Sequence, residues 1–99
     1  MTPSHTALAS KYVFLADERP RFARRFAPVN ETDSGWCLLS GHPGEDEPDF
    51  GDQPGNFRRN TLAELIGLFP ELAAIFDAPV DAIYEWDDEA AIYRLAYTP

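Results

Sequence analysis

The chain has 99 residues, a single cysteine and a formal net charge of −9. That length makes one domain, able to bury roughly two-thirds of its unfolded surface, and the lone thiol excludes an intrachain disulfide. The negative surface excludes ordinary contact with nucleic-acid phosphates and favours the approach of basic proteins.

Residues 1–10 are small and polar and read as a flexible N-terminal tail, with 11–99 as one domain. The start has no basic stretch leading into a long apolar core, so no secretion signal is expected. No run reaches the roughly 20 apolar residues of a membrane span, and a cytoplasmic location is expected. Lys11-Tyr12-Val13-Phe14-Leu15-Ala16 is rich in strand formers and reads as a first strand, although a short helix also fits. In 21–29 a period of two puts Phe22, Arg24 and Phe26 on one face, while Phe22, Ala23 and Phe26 could mark a helical one. An edge strand is preferred, because Pro28 follows and the arginines would protect an edge. Asp33-Ser34-Gly35 then turns the chain into Trp36-Cys37-Leu38-Leu39, and Ser40-Gly41 closes it. An apolar run between turn signals reads as a central strand, with Trp36 as core anchor and Cys37 as a small buried hydrophobe.

Residues 41–55 read as a long loop of prolines, glycines and acids in which Phe50 is the one apolar residue that could pin it down. Thr61 and Glu64 match a capping box, and Leu62, Leu65, Ile66 and Phe69 follow at helical spacing. Pro70 ends that helix and opens a second, with Leu72, Ala73, Ile75 and Phe76 inward. Residues 82–86 and 91–97 flank an acidic turn at 87–90 and predict a β-hairpin. The expected fold is α+β, a small antiparallel sheet of about four to five strands packed on two consecutive short helices and ending in the hairpin. Its expected core is Trp36, Leu38, Leu62, Leu65, Ile66, Phe69, Ile75 and Trp86.

Motifs for chemistry are lacking. Gly51-Asp52-Gln53-Pro54-Gly55 has neither the lysine nor the hydroxyl of a phosphate loop. Cys37, His5 and His42 are too few for a zinc centre, and a Cys37/His42 dyad has no third group to orient it. The spacing of the loop acids does not match a calcium-binding EF-hand. No catalytic residue, metal ligand or cofactor site is therefore assigned. Arg58-Arg59 reads as a solvated pair, and Tyr84, Trp86, Tyr93 and Tyr97 as core and cross-strand pairs rather than a binding platform. What remains is charge: Asp33, Glu45, Asp46, Glu47, Asp49 and Asp52 lie in a stretch free of Lys and Arg. Such a surface either keeps the protein soluble or docks a basic protein partner.

Four pieces in order carry a family resemblance: Glu31-Thr32-Asp33-Ser34-Gly35-Trp36, Leu39-Ser40-Gly41 with its acidic loop, Asn60-Thr61-Leu62, and Phe69-Pro70-Glu71-Leu72 with Asp77-Ala78-Pro79-Val80. Together they resemble the Imm33-like immunity domain, a bacterial family also described as a domain of unknown function. The chain departs from that pattern after Ser-Gly, where His42-Pro43-Gly44-Glu45 stands in place of Asp-Glu, and at Phe50, where a tyrosine is common. The resemblance implies a non-enzymatic protein that binds and blocks a toxin of a polymorphic toxin system, with no catalytic residue. The acidic stretch, with the Asp87-Asp88-Glu89 turn as a further candidate, would then face a basic toxin domain. The alternatives are a housekeeping adaptor or regulatory subunit on the same fold, and a small enzyme or metal-dependent domain built on the acidic loop.

Overall fold

The computed structural model describes residues 2–97. Six strands form one sheet: β1 (Thr6–Ser10), β2 (Phe22–Arg25), β3 (Asp33–Leu39), β4 (Phe57–Thr61), β5 (Ile83–Asp87) and β6 (Ile92–Tyr97). Their spatial order is β4-β1-β3-β2-β5-β6. The one helix, α1 (Leu62–Leu68), follows β4 directly. Single 3₁₀ turns occupy Lys11–Phe14, Pro43–Asp46, Phe50–Asp52, Pro54–Asn56 and Pro70–Ala74.

Several expectations are corrected. The sheet is mixed: β1 runs parallel to β3 and every other neighbour is antiparallel. The cause is topological, since the chain reverses from β1 to β2 and again from β2 to β3, which restores the first direction. The tail expected over 1–10 is a strand from Thr6 onward, wedged between β4 and β3 with Ala7 and Ala9 fully buried. Residues 11–14 are a 3₁₀ turn rather than a strand, begun by Ser10, whose Oγ accepts the Tyr12 N–H. The place beside β3 that this segment would have filled is already taken by β1.

β2 is interior, not an edge, because β5 pairs with it through Phe22, Ala23 and Arg24. Arg25 accordingly guards no edge. It turns inward and donates to the carbonyls of Ser34 (2.9 Å) and Ala78 (2.7 Å). β4 is the strand that no periodicity announced, since Phe57-Arg58-Arg59-Asn60 has one apolar residue in four. The capping box is present in both directions: the Glu64 carboxylate accepts the Thr61 N–H (2.9 Å), and Thr61 Oγ1 accepts the Glu64 N–H (3.1 Å). Pro70 stops α1, and Pro70–Ala74 tightens to a 3₁₀ turn instead of forming a second α-helix.

The core lies between the sheet and the α1–Pro70 layer. Trp36 is buried, with its ring 5.6 Å from Phe76 and 6.4 Å from Tyr84, and its Nε1–H donates to the Phe76 carbonyl (3.2 Å). Leu38, Leu62, Leu65, Leu72 and Ile75 are buried around it, while Ile66, Phe69 and Trp86 are half-buried against the cluster. Small residues on the two flanking strands, Ala7, Ala9 and Ala23, leave room for the indole. At the hairpin end, the Arg19 guanidinium stacks 3.4 Å from the Trp86 ring centre and pairs with Glu71 (3.0 Å). Tyr93 donates from its hydroxyl to the Pro20 carbonyl (2.7 Å), and burial pushes its pKa up.

Candidate partner interface

The Asp33-Ser34-Gly35-Trp36 stretch, expected as a turn, is the start of β3 and a close approach of two backbones. Asp33 Oδ1 accepts the Gly35 N–H and Oδ2 the Val29 N–H, both at 3.0 Å, while Arg59 stands 3.8 Å away. Ser34 Oγ accepts the Trp36 N–H (3.2 Å). Gly35 has φ +84°, and its carbonyl accepts the Phe26 N–H at 2.7 Å. A Cβ at Gly35 would lie 1.9 Å from the Phe26 carbonyl oxygen, so only glycine fits.

The acidic loop is fastened at both ends. Glu45 folds back onto the end of β3, where its carboxylate accepts Ser40 N–H (2.9 Å), Ser40 Oγ–H (3.0 Å) and Gly41 N–H (2.8 Å). His42 Nδ1 accepts the Gly44 N–H, and its ring stacks on Tyr12 at 3.9 Å and 4°. Phe50 pins the far end: it is buried, stacks on Tyr12 and meets Phe57 edge-on at 5.3 Å.

These contacts divide the six predicted partner-binding acids. Asp33 and Glu45 are committed to backbone N–H groups inside the fold. Asp46, Glu47, Asp49 and Asp52 are exposed, with no side-chain hydrogen bond or ion pair among the described residues. Two of the three hairpin acids are also occupied. Asp87 accepts from Arg94 (2.6 Å) and from the Glu89 and Ala90 N–H groups, and Asp88 from Arg21 (2.8 Å) and Trp86 Nε1 (2.9 Å). Those bonds, Arg94's and Arg21's first, hold both carboxyls below the usual carboxylate range.

Beside Asp52 lies the second face of the sheet. Strand alternation turns Cys37 away from Trp36 and Leu38. Leu8 and Arg24 sit opposite Cys37 on its two neighbouring strands, and Arg59 and Ile83 extend the same face outward. Phe22 and Phe26 are 42% and 45% exposed there. The surface dips into three depressions that share Phe26 and Cys37; the largest holds about 640 Å³, and Phe57, Asp52 and Pro54 wall its loop side. Cys37 is therefore half-buried in a groove floor rather than sealed in the core. Burial, and then the Glu45 carboxylate, push its thiol pKa up, which makes it a poor nucleophile. Phe22, Phe26 and Phe57 were not predicted as interface residues. The period-two pattern of Phe22, Arg24 and Phe26 was the available signal, but nothing in it told an open face from a covered one.

Among the described residues no group of three His, Cys, Asp or Glu could hold a metal ion, and no helix is long and apolar enough to cross a membrane. A small α+β domain with one covered sheet face, one open apolar face and a fastened charged loop has the build of a binding module. The chain belongs to the Imm33 immunity protein domain family, whose description matches residues 7–96. This is the family that the Asp33–Trp36, Ser40–Gly41 and Asn60–Leu62 motifs resemble. No curated protein and no solved structure matches the chain.

Proposed function

We propose that the protein is a non-enzymatic immunity protein that neutralises a cognate toxin by binding it, through the open sheet face and the acidic rim beside it. The family supports the role. One observation supports the place: Asp46, Glu47, Asp49 and Asp52 carry free carboxylates on a loop held by Glu45 and Phe50, and Asp52 shares a depression with the exposed Phe26. Unpaired charges on a fixed support steer a basic partner and cost little to order when it arrives.

The test is the association rate. With the toxin captured from the native cell at low salt, changing all four rim acids to Lys is expected to slow association by about 10–10³-fold. The difference shrinks as salt shortens the Debye length to about 8 Å at physiological strength. An unchanged low-salt rate sinks the electrostatic part of the proposal. Capture of a housekeeping complex in place of a toxin moves the assignment to an adaptor.

A further inference from the structure

The groove carries more than a general surface. Its floor is Leu8, Cys37 and Phe26, and its loop wall is Phe57 and Asp52. At about 640 Å³ it lies within the roughly 300–1,000 Å³ of ligand pockets, room enough for a large side chain and part of its neighbours. The wall is fixed, because the buried Phe50 ties the Phe50–Asp52 turn to Tyr12 and Phe57, and Asn56 Nδ2 donates to the Phe50 carbonyl (3.1 Å). The two cations near the floor are already engaged: Arg59 with Asp33 and with Thr6 Oγ1 (2.9 Å), and Arg24 over the Phe26 ring at 4.6 Å. Asp52 is the wall's free charge.

We infer that the groove receives one large apolar side chain from a basic segment of the protein partner, with that segment's adjacent Lys or Arg on Asp52. The inference rests on the toxin-binding reading and names the chemistry of the partner at that site. A second copy of this chain is the wrong occupant, since each carries a net charge of −9. A large side chain in a preformed, walled pocket is the usual form of an interface hot spot. A salt bridge at the rim adds selection rather than much affinity.

The sole cysteine reports occupancy directly, because it lines all three depressions. The rate at which iodoacetamide labels Cys37 in the intact chain would be followed by mass while a blocked peptide, Gly-Lys-Trp-Lys-Gly, is titrated in. At a concentration about twice its Kd, labelling is expected to slow about threefold. The peptide with Ala for Trp should leave the rate unchanged, and the one with Glu for both Lys should slow labelling less than the Lys peptide does. Asp52→Lys, an exposed change that cannot unfold the domain, should weaken the Lys peptide by about two- to fivefold. Equal slowing by the Trp and Ala peptides overturns the inference, as does no slowing up to the solubility limit. A toxin complex in which Cys37 labels at the free-chain rate also overturns it, while leaving neutralisation intact. Peptide protection of Cys37 in a chain that neutralises no toxin supports the groove and sinks the immunity reading instead.

Discussion

β3 presents two surfaces built from alternate residues of one strand. On one side Trp36 and Leu38 are sealed under α1, Leu72 and Phe76. On the other, Cys37 and Leu39 are half-buried and no helix among the described residues covers them. The same backbone supports both, so the difference lies in what the sheet has to cover it. Helical segments on one side supply the core, and the second face is left open to solvent. Stability and binding are therefore expected to separate by residue parity. Trp36→Ala should cost about 3–5 kcal/mol, a large share of a small domain's total. Cys37→Ala, one position on, should stay within about 1 kcal/mol. Urea midpoints of the two variants measure this, and equal losses would break the comparison between faces.

Two glycines sharpen it. Gly35, near the start of β3, and Gly41, just past its end, have nearly the same φ, +84° and +83°. At Gly35 an added Cβ meets a backbone carbonyl at 1.9 Å; at Gly41 it meets the Phe22 ring at 3.2 Å, a side chain on the open face that can move. Gly35→Ala should cost about 3 kcal/mol, combining left-handed strain with the displacement of Phe26. Gly41→Ala should cost about 1 kcal/mol, from strain alone. Similar values from thermal or urea unfolding would mean that the backbone approach at Phe26 is softer than its geometry.

The sequence carried much of this where the signal was local. The capping box, the hairpin, the central strand and its tryptophan all depend on neighbours within a few residues, and pattern alone located them. The sheet order was not legible. β1 is short and alanine-rich and has little strand propensity of its own; its place follows from being flanked by β3 and β4. β4 is Arg- and Asn-rich, and its register against β1, Leu8 to Arg59, is a long-range choice. The interface was half legible. Charge picked out the loop acids but could not say which of them the backbone would claim. Glu45 is indistinguishable from Asp46 in composition, and only the fold shows it reaching back to Ser40 and Gly41.

That split between neighbouring acids gives the smallest effect and the sharpest test. Glu45 holds three hydrogen bonds at the end of β3, and Asp46 holds none among the described residues. Glu45→Ala should cost about 1–2 kcal/mol, since hydrogen bonds to a charged group are the stronger kind and two backbone N–H groups lose their acceptor. Asp46→Ala should stay within about 0.5 kcal/mol. Faster amide exchange at Ser40 and Gly41 in the first variant alone would localise the loss. The binding consequences should divide the same way. Removing Glu45 takes away the same single charge and also frees the near end of the loop, so the salt dependence should flatten and the complex should dissociate faster as well. Removing Asp46 leaves the wall in place and takes one steering charge away, so the salt dependence should flatten while dissociation stays as it was. If both variants altered only the salt dependence, the bonds of Glu45 to β3 would be too weak to matter. The near end of the loop would then act as a diffuse patch of charge, and the contacts of Phe50 alone would hold the groove wall.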